Sequence, residues 1–249
     1  MKYLLSALLI VSAGLAMADD FAAVEAKLTT ALAADIRTEA EKERDSDRSP
    51  VETLKFFGLR EDMKISELLP GGGWYTKLLV PVVAEKGEYY AALGTTNIAK
   101  SVITLPGFED AQILAAESKV YKKDGARLYT LETTGFGITG VDMVLTFRNY
   151  HNFDADGRAA MNKAAFDALK PGGVYAVVDH TRRHMEADNP ENVRRFDPVR
   201  AIHEIEAAGF RFADFSDVHA RPDDELRYEV GRKTVTGNTD RWTLKFVKP

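Results

Sequence analysis

The 249-residue chain contains no cysteine. Disulfides, thiolate nucleophiles, Cys-ligated zinc and lipidated cysteines are thereby excluded. Long apolar runs are scarce as well. After residue 18 no window approaches the roughly 20 apolar residues needed to cross a bilayer, so stable membrane insertion is not expected. Positive charge is in deficit: 33 Lys and Arg stand against 38 Asp and Glu, a net charge of −5. The one basic cluster, Arg182-Arg183 with Arg194-Arg195, is interrupted by acids. Nucleic acid is not an expected partner, because binding it needs a concentrated basic face. With no internal repeat and no low-complexity linker, one domain is the economical reading.

The chain opens on what reads as a secretory signal peptide, residues 1–18. Lys2 gives the positive start, Leu4 to Leu15 an apolar stretch broken by Gly14, and Ala16-Met17-Ala18 a small-x-small site before Asp19-Asp20. Cleavage after Ala18 and delivery to the periplasm are expected. Removing 18 of 249 residues leaves 231, with 32 basic and 38 acidic side chains. That length buries a large core without disulfide staples.

The most informative stretch is Met63 to Thr76, MKISELLPGGGWYT. A short apolar run ends in Glu67, then come Pro70, the glycines Gly71, Gly72 and Gly73, and Trp74-Tyr75-Thr76 opening a helix. A strand, a glycine loop and a helix in this order form a cradle for a phosphate or nucleoside. Glycine tolerates φ > 0 and lets a ligand approach the main chain closely. The same residues also suit a tight strand-to-helix turn that binds nothing. Trp74 and Tyr75 could stack on a ligand ring or pack the helix against the sheet.

Around this stretch strands and helices alternate. Strands are predicted at Met63–Leu69, Glu88–Leu93, Ala126–Leu131, Val141–Phe147 and Val174–Asp179. Helical stretches separate them at Trp74–Ala84, at Ile98–Ile103 with Glu109–Ala116, and at Asp156–Leu169. This order implies right-handed crossovers and a parallel, doubly wound sheet. Upstream, Phe21, Val24, Leu28, Leu32 and Ile36 recur at helical spacing and predict one helix over 21–43, overlapping the charged run Glu41 to Arg48. Ser49-Pro50 then starts a short helix ending at Phe57. Downstream, Asp197-Pro198 starts a helix that Gly209 stops. Phe210–Val218 and Arg241–Val247 alternate as strands that should pair antiparallel. The expected fold class is α/β: a doubly wound, Rossmann-like seven-stranded sheet, mostly parallel with an antiparallel C-terminal hairpin. Residues 19–60 would form an N-terminal helical cap and residues 61–249 the main domain.

Two further segments carry candidate chemistry. Val141–Phe147 emits Arg148-Asn149-Tyr150-His151-Asn152 at the carboxyl end of a strand, where ligands gather in open α/β sheets. His151 is the preferred general base, since imidazole titrates near working pH; Asn149 would position the substrate. A buried, backbone-bonded histidine is the plainer account of His151. Asp179-His180 ends another strand and is expected to face the same crevice, either orienting a base or capping a loop. His180 and His184 have a zinc-like spacing only on a helix, and they follow a strand. No metal site is predicted.

Three of these segments together resemble the class I S-adenosylmethionine-dependent methyltransferases: Glu67 with Pro70-Gly71-Gly72-Gly73, VDMVLTFRNYHNF, and ALKPGGVYAVVDH. The likeness runs from Met63 to Pro249. More narrowly, the chain is similar to an exported group of predicted methyltransferases with a PGGGWYT loop, an RNxHN segment and a C-terminal TDRWxLxFxKP. The resemblance implies S-adenosylmethionine as cofactor. It assigns Glu67, Gly71, Gly72, Gly73, Trp74, Thr95 and Asn149 to cofactor binding, and His151, Asn149 and His180 to catalysis. Two positions depart from the pattern. Leu69 stands where the family usually has glycine, and the second strand ends in Leu93-Gly94-Thr95 with no carboxylate for the ribose hydroxyls. Thr95, Thr96 or Asn97 would then make a weaker contact, or adenosine binding is altered or lost.

The function expected from these features is methyl transfer to a small or amphipathic acceptor in the cell envelope. The alternative is a non-catalytic exported protein that kept the fold and binds a small ligand or a partner. A nicotinamide oxidoreductase fits less well, because GxGxxG is absent.

Overall fold

The structure is a computed structural model that describes residues 21–114 and 117–249. The leader read in residues 1–18 lies outside the described residues. Seven strands form one sheet: β1 (Lys64–Leu68), β2 (Glu88–Ala92), β3 (Gln112–Leu114), β6 (Val141–Phe147), β7 (Leu169–His180), β8 (Arg211–Ser216) and β9 (Arg241–Val247). Their spatial order is β3-β2-β1-β6-β7-β9-β8. The five strands from β3 to β7 pair in parallel, while β9 runs antiparallel to both β7 and β8. This is the expected doubly wound sheet with its antiparallel C-terminal pair.

Alternation along the strands divides the core between two faces. Met143, Leu145, Ala176 and Val178 pack with Val24, Leu28, Leu54, Phe57, Leu78 and Val82, from the helices at 21–33 (α1), Pro50–Phe57 (α4) and Thr76–Val83 (α5). Val144, Tyr175 and Val177 pack on the other side with Met161, Ala165 and Ile205. Those three come from α7 (Ala155–Ala168) and α8 (Pro198–Ala207), each capped by an aspartate, Asp154 and Asp197 respectively.

Three local expectations change. Helix 21–43 breaks into α1, α2 (Glu39–Lys42) and α3 (Asp45–Arg48). Arg37 causes the break by turning its guanidinium onto Leu32 O, Glu41 O and Asp45. Thr38 restarts the chain as a capping box, its hydroxyl accepting from Glu41 N while the Glu41 carboxylate accepts from Thr38 N. In the second change, Gln112–Leu114 of the predicted helix Glu109–Ala116 pairs with Tyr90–Ala92 as the sheet edge. Pairing outweighs the modest helix propensity of so short a stretch. The third concerns Ala126–Leu131, where the strand is Thr130–Glu132 (β5). It leaves the main sheet and pairs with Lys119–Tyr121 (β4) in a separate two-stranded ribbon.

The N-terminal helices are tied to the end of the sheet by polar contacts. Lys77 Nζ donates to Glu41 and to Ile36 O, at 2.8 and 3.0 Å. His219 bridges Thr243 Oγ1 at 2.7 Å and Arg48 O at 2.9 Å. Among the described residues no helix is long and apolar enough to cross a membrane. Thr38→Ala should therefore cost about 1 kcal/mol, the value of a lost N-cap. Urea melts would register it, and an unchanged midpoint would mean that α2 is held by Lys77 and Trp74 alone.

Candidate functional site

Three strands of the parallel sheet end in residues forced into the left-handed region. Leu69 follows β1 at φ +54°, Leu93 follows β2 at +63°, and Arg148 follows β6 at +61°. Each costs an L-residue on the order of 1–2 kcal/mol, and such strain concentrates where function requires a fixed backbone. Next to Leu69 the glycine loop bends at Gly71 (φ +60°) and Gly73 (φ +82°). The two glycines serve different ends. A Cβ at Gly71 would meet nothing within 4 Å, whereas one at Gly73 would stand 2.7 Å from Val102 Cγ2. Gly71 thus faces open space, and Gly73 admits the helix Thr96–Ser101 (α6) and the residue after it.

A cavity of about 320 Å³ lies here, lined by Glu67, Leu69, Gly71, Gly72 and Trp74 with Phe147, Arg148 and Asn149. Its far wall comes from the N-terminal helices through Glu41, Arg44 and Arg48. Glu67 is buried, and its Oε2 accepts from Thr76 Oγ1 at 2.8 Å and from Tyr89 OH at 2.6 Å. Burial pushes its carboxyl up to about 7, against the downward pull of those two hydrogen bonds. Asn149 Nδ2 donates to Leu69 O at 3.2 Å and Phe147 O at 3.1 Å, clamping the ends of β1 and β6 together.

Trp74 is spoken for by protein. Its Nε1 donates to Glu41 O at 2.9 Å, and the guanidinium carbons of Arg48 and Arg37 lie 4.2 and 5.1 Å from its ring centroid. Tyr75 stacks on Phe147 with centroids 3.6 Å apart. Thr95 begins α6 after β2 and is not among the residues lining this cavity.

His151 and His180 do not share the cavity with Asn149, contrary to the single crevice expected for all three. Tyr150–Asn152 forms a turn of 3₁₀ helix that carries His151 to a second cavity of about 150 Å³, lined also by Arg158, Arg182, Arg195 and Phe196. There Asp179, wholly buried, is the anchor. Its Oδ2 accepts from His151 N at 2.7 Å, and its Oδ1 contacts His151 Nδ1 at 2.6 Å and His180 N at 2.7 Å. A carboxylate only accepts, so Nδ1 of His151 carries the proton and Nε2 is the basic nitrogen. His180 lies inward, its Nδ1 against Thr239 Oγ1 at 3.0 Å, and burial drives its pKa well below the ordinary value. His184 pairs with Asp197 instead, so the two histidines do not converge.

The residues that sequence reasoning passed over are Arg44 and Arg48; Arg148, placed at the strand end with Asn149, does line the cavity. Arg44 and Arg48 belong to the charged run Glu41 to Arg48, which has the composition of a solvated link. The one signal pointing elsewhere is the capping-box spacing Thr38-x-x-Glu41, which fixes that run as ordered helix.

A raised Glu67 pKa sets a sign. Between about pH 4.5 and 7 the folded protein holds a proton at Glu67 that the unfolded chain releases, so this group's contribution to stability falls as pH rises. The buried neutral histidines His180 and His219 slope the opposite way, so the readout is the difference between wild type and Glu67→Gln. That difference should move in the variant's favour by on the order of 3 kcal/mol from pH 5 to pH 8. A pH-independent difference in chemical denaturation would place the Glu67 carboxyl at its ordinary pKa. Gly73→Ala should cost on the order of 2 kcal/mol in the same assay, from overpacking against Val102 at a left-handed φ.

No family model matches the chain, and no curated protein matches it. Solved structures do match. A SAM-dependent methyltransferase from Aquifex aeolicus aligns with a TM-score of 0.56 at 18% identity, over 83% of this chain and 93% of that one. The glycopeptide N-methyltransferase MtfA aligns at 0.53 and 15% identity, over 82% and 91% of the two chains. The [4+2]-cyclase SpnF aligns at 0.54 and 14% identity, over 82% and 80%. At such identities the likeness carries the architecture. The chain has the Rossmann-like fold of the S-adenosylmethionine-dependent methyltransferases, a frame on which SpnF carries a different named activity.

Proposed function

We propose that the chain is an S-adenosylmethionine-dependent methyltransferase acting on a small or amphipathic acceptor in the periplasm. The observation that carries this reading is the cavity at the ends of β1 and β6, bounded by Gly71, Gly72 and the buried Glu67. Its volume of about 320 Å³ falls at the lower end of the roughly 300–1,000 Å³ of small-molecule sites. The leader-like residues 1–18 support the location.

The residues fit the cofactor. A Cβ on Gly71 or Gly72 would meet nothing within 4 Å, so the main chain there is open to close approach. Glu67 offers a counter-charge to an ammonium group, and Leu69 and Phe147 offer apolar wall. When bound, S-adenosylmethionine supplies an electrophilic methyl group. The chain's own task is alignment and proton removal. Asn149 holds β1 and β6 in fixed register. His151, with Nδ1–H held by Asp179, accepts a proton at Nε2 from a hydroxyl or amine acceptor. Asn149 and His151 are two residues apart, hence within about 8 Å at Cα, so the two cavities flank one short segment.

One observation favours a second reading, a non-catalytic exported binding protein: residues 93–97, Leu-Gly-Thr-Thr-Asn, place no carboxylate after β2. Titration calorimetry separates the two readings. Methyl transfer predicts that S-adenosylhomocysteine binds at micromolar concentration, that NAD does not, and that Glu67→Gln weakens binding about tenfold, the worth of one charge-assisted hydrogen bond. No nucleoside binding at millimolar concentration ends the transferase reading and leaves the binding protein. With an acceptor in hand, His151→Ala should lower turnover on the order of 100-fold or more while leaving cofactor affinity unchanged.

A further inference from the structure

The first cavity holds more positive charge than its surroundings neutralise. Arg44, Arg48 and Arg148 line it together. Among the described residues, no carboxylate lies within 4.0 Å of any of these three guanidinium groups, and none of the three makes a side-chain hydrogen bond to protein. Arg48 is 6% exposed, and its Nε is buried with no partner. The two acids of the cavity do not answer it: Glu41 is engaged by Lys77 at 2.8 Å, and Glu67 by Thr76 and Tyr89. Of the three, Arg48 is buried, Arg148 half-buried and Arg44 exposed; a fourth guanidinium nearby, that of buried Arg241, is committed to Asp47 O.

Burying an unpaired guanidinium is costly unless something of opposite sign completes it. The strain is visible in the pKa values. Burial first, then the charge of Arg148, brings Arg48 down to about 9; burial, then Arg44 and Arg241, brings Arg148 down to about 10. The face of Trp74 offsets part of the cost for Arg48 through a cation–π contact at 4.2 Å. It supplies no acceptor for the N–H groups.

We infer that Arg44, Arg48 and Arg148 form an oxyanion site in the first cavity, which takes a ligand bearing a carboxylate. The planar fork of arginine suits that group, and three forks line one cavity without a side-chain hydrogen bond to protein. The inference deepens the methyl-transfer reading and rests on it for the two sources of the carboxylate, the methionine end of the cofactor or the methyl acceptor.

Calorimetry on the full chain with three probes tests the site: S-adenosylhomocysteine, 5′-methylthioadenosine (which lacks the carboxylate) and malonate. Arg48→Met and Arg148→Met keep apolar bulk and remove charge; Arg44→Met, at the exposed mouth, repeats the test without disturbing packing. If the cofactor supplies the anion, the variants bind S-adenosylhomocysteine at least tenfold more weakly and methylthioadenosine as wild type does. If the acceptor supplies it, S-adenosylhomocysteine binding is unchanged, and malonate binds the wild type and not the variants. Equal behaviour of all three variants and wild type toward every probe overturns the site. Arg-dependent malonate binding without any nucleoside binding upholds the oxyanion site while the methyl-transfer reading falls.

Discussion

Everything at the carboxyl edge of this sheet depends on the seating of Trp74 against two guanidinium groups. Its indole N–H is tied to Glu41 O, one face meets Arg48, and Arg37 lies on the same ring. A cation–π contact is worth about 0.5–1 kcal/mol when exposed and about 2 kcal/mol or more when desolvated, and two such contacts do not by themselves decide the fold. The value of the arrangement is therefore positional. It fixes α2 and α3 against the start of α5, and so turns an open crevice at the strand ends into a walled cavity. Lys77 with Glu41, and His219 with Arg48 O, hold the same helices from two further directions. A site assembled this way draws its walls from residues as far apart in sequence as Glu41 and Asn149, about a hundred positions.

The electrostatics of the two cavities are arranged differently. In the second, each arginine reaches a carboxylate: Arg158 and Arg200 share Glu204, Arg127 and Arg182 share Asp188, Arg195 faces Asp224 at 2.8 Å, and Asp179 is engaged by His151 and His180. That cavity is a fixed framework around one imidazole. In the first, charge is confined and left open. Glu67 is buried with a carboxyl lifted to about 7, and Arg48 is buried with its Nε unpartnered. A folded chain meets such costs only from the remaining stability, and they persist at sites whose occupant returns the energy on binding.

The sheet was legible in the sequence because its signals are periodic and local. β6 and β9 have the predicted bounds, and Asp197-Pro198 starts its helix where turn chemistry places it. The edges were not legible. Gln112–Leu114 is a strand only because β2 offers it an unpaired edge, and no local preference in Ala-Gln-Ile-Leu encodes that partner. The site divides in the same way. Glu67 and Gly71 follow from strand–loop–helix logic and line the cavity. His151 follows from position after a strand, but the one-residue steps of the 3₁₀ turn decide which cavity it enters, and sequence carries no such angle. Arg44 and Arg48 escaped because a charged run has the same composition whether it is solvated or folded back over a pocket.

Leu69 bears on how the proposed cofactor site and the arginine cluster belong together. A side chain at φ +54°, where glycine would be free of strain, narrows the gap between the ends of β1 and β2; its Cδ2 lies 3.0 Å from where a Cβ of Gly94 would stand. After β2, residues 93–97 carry no carboxylate that could grip a ribose. On the proposed reading, affinity for an adenosyl ligand at that end would be reduced twice, by space and by a missing charge-assisted contact worth about 1.5–3 kcal/mol. On the proposed reading, recognition then rests more on the charged lining, where Glu67 can meet a cation and the arginines an anion. An amino-acid moiety presents both charges on adjacent atoms. The geometry of this cavity thus favours ligands read by their zwitterionic or acidic end, with the nucleoside as the weaker anchor.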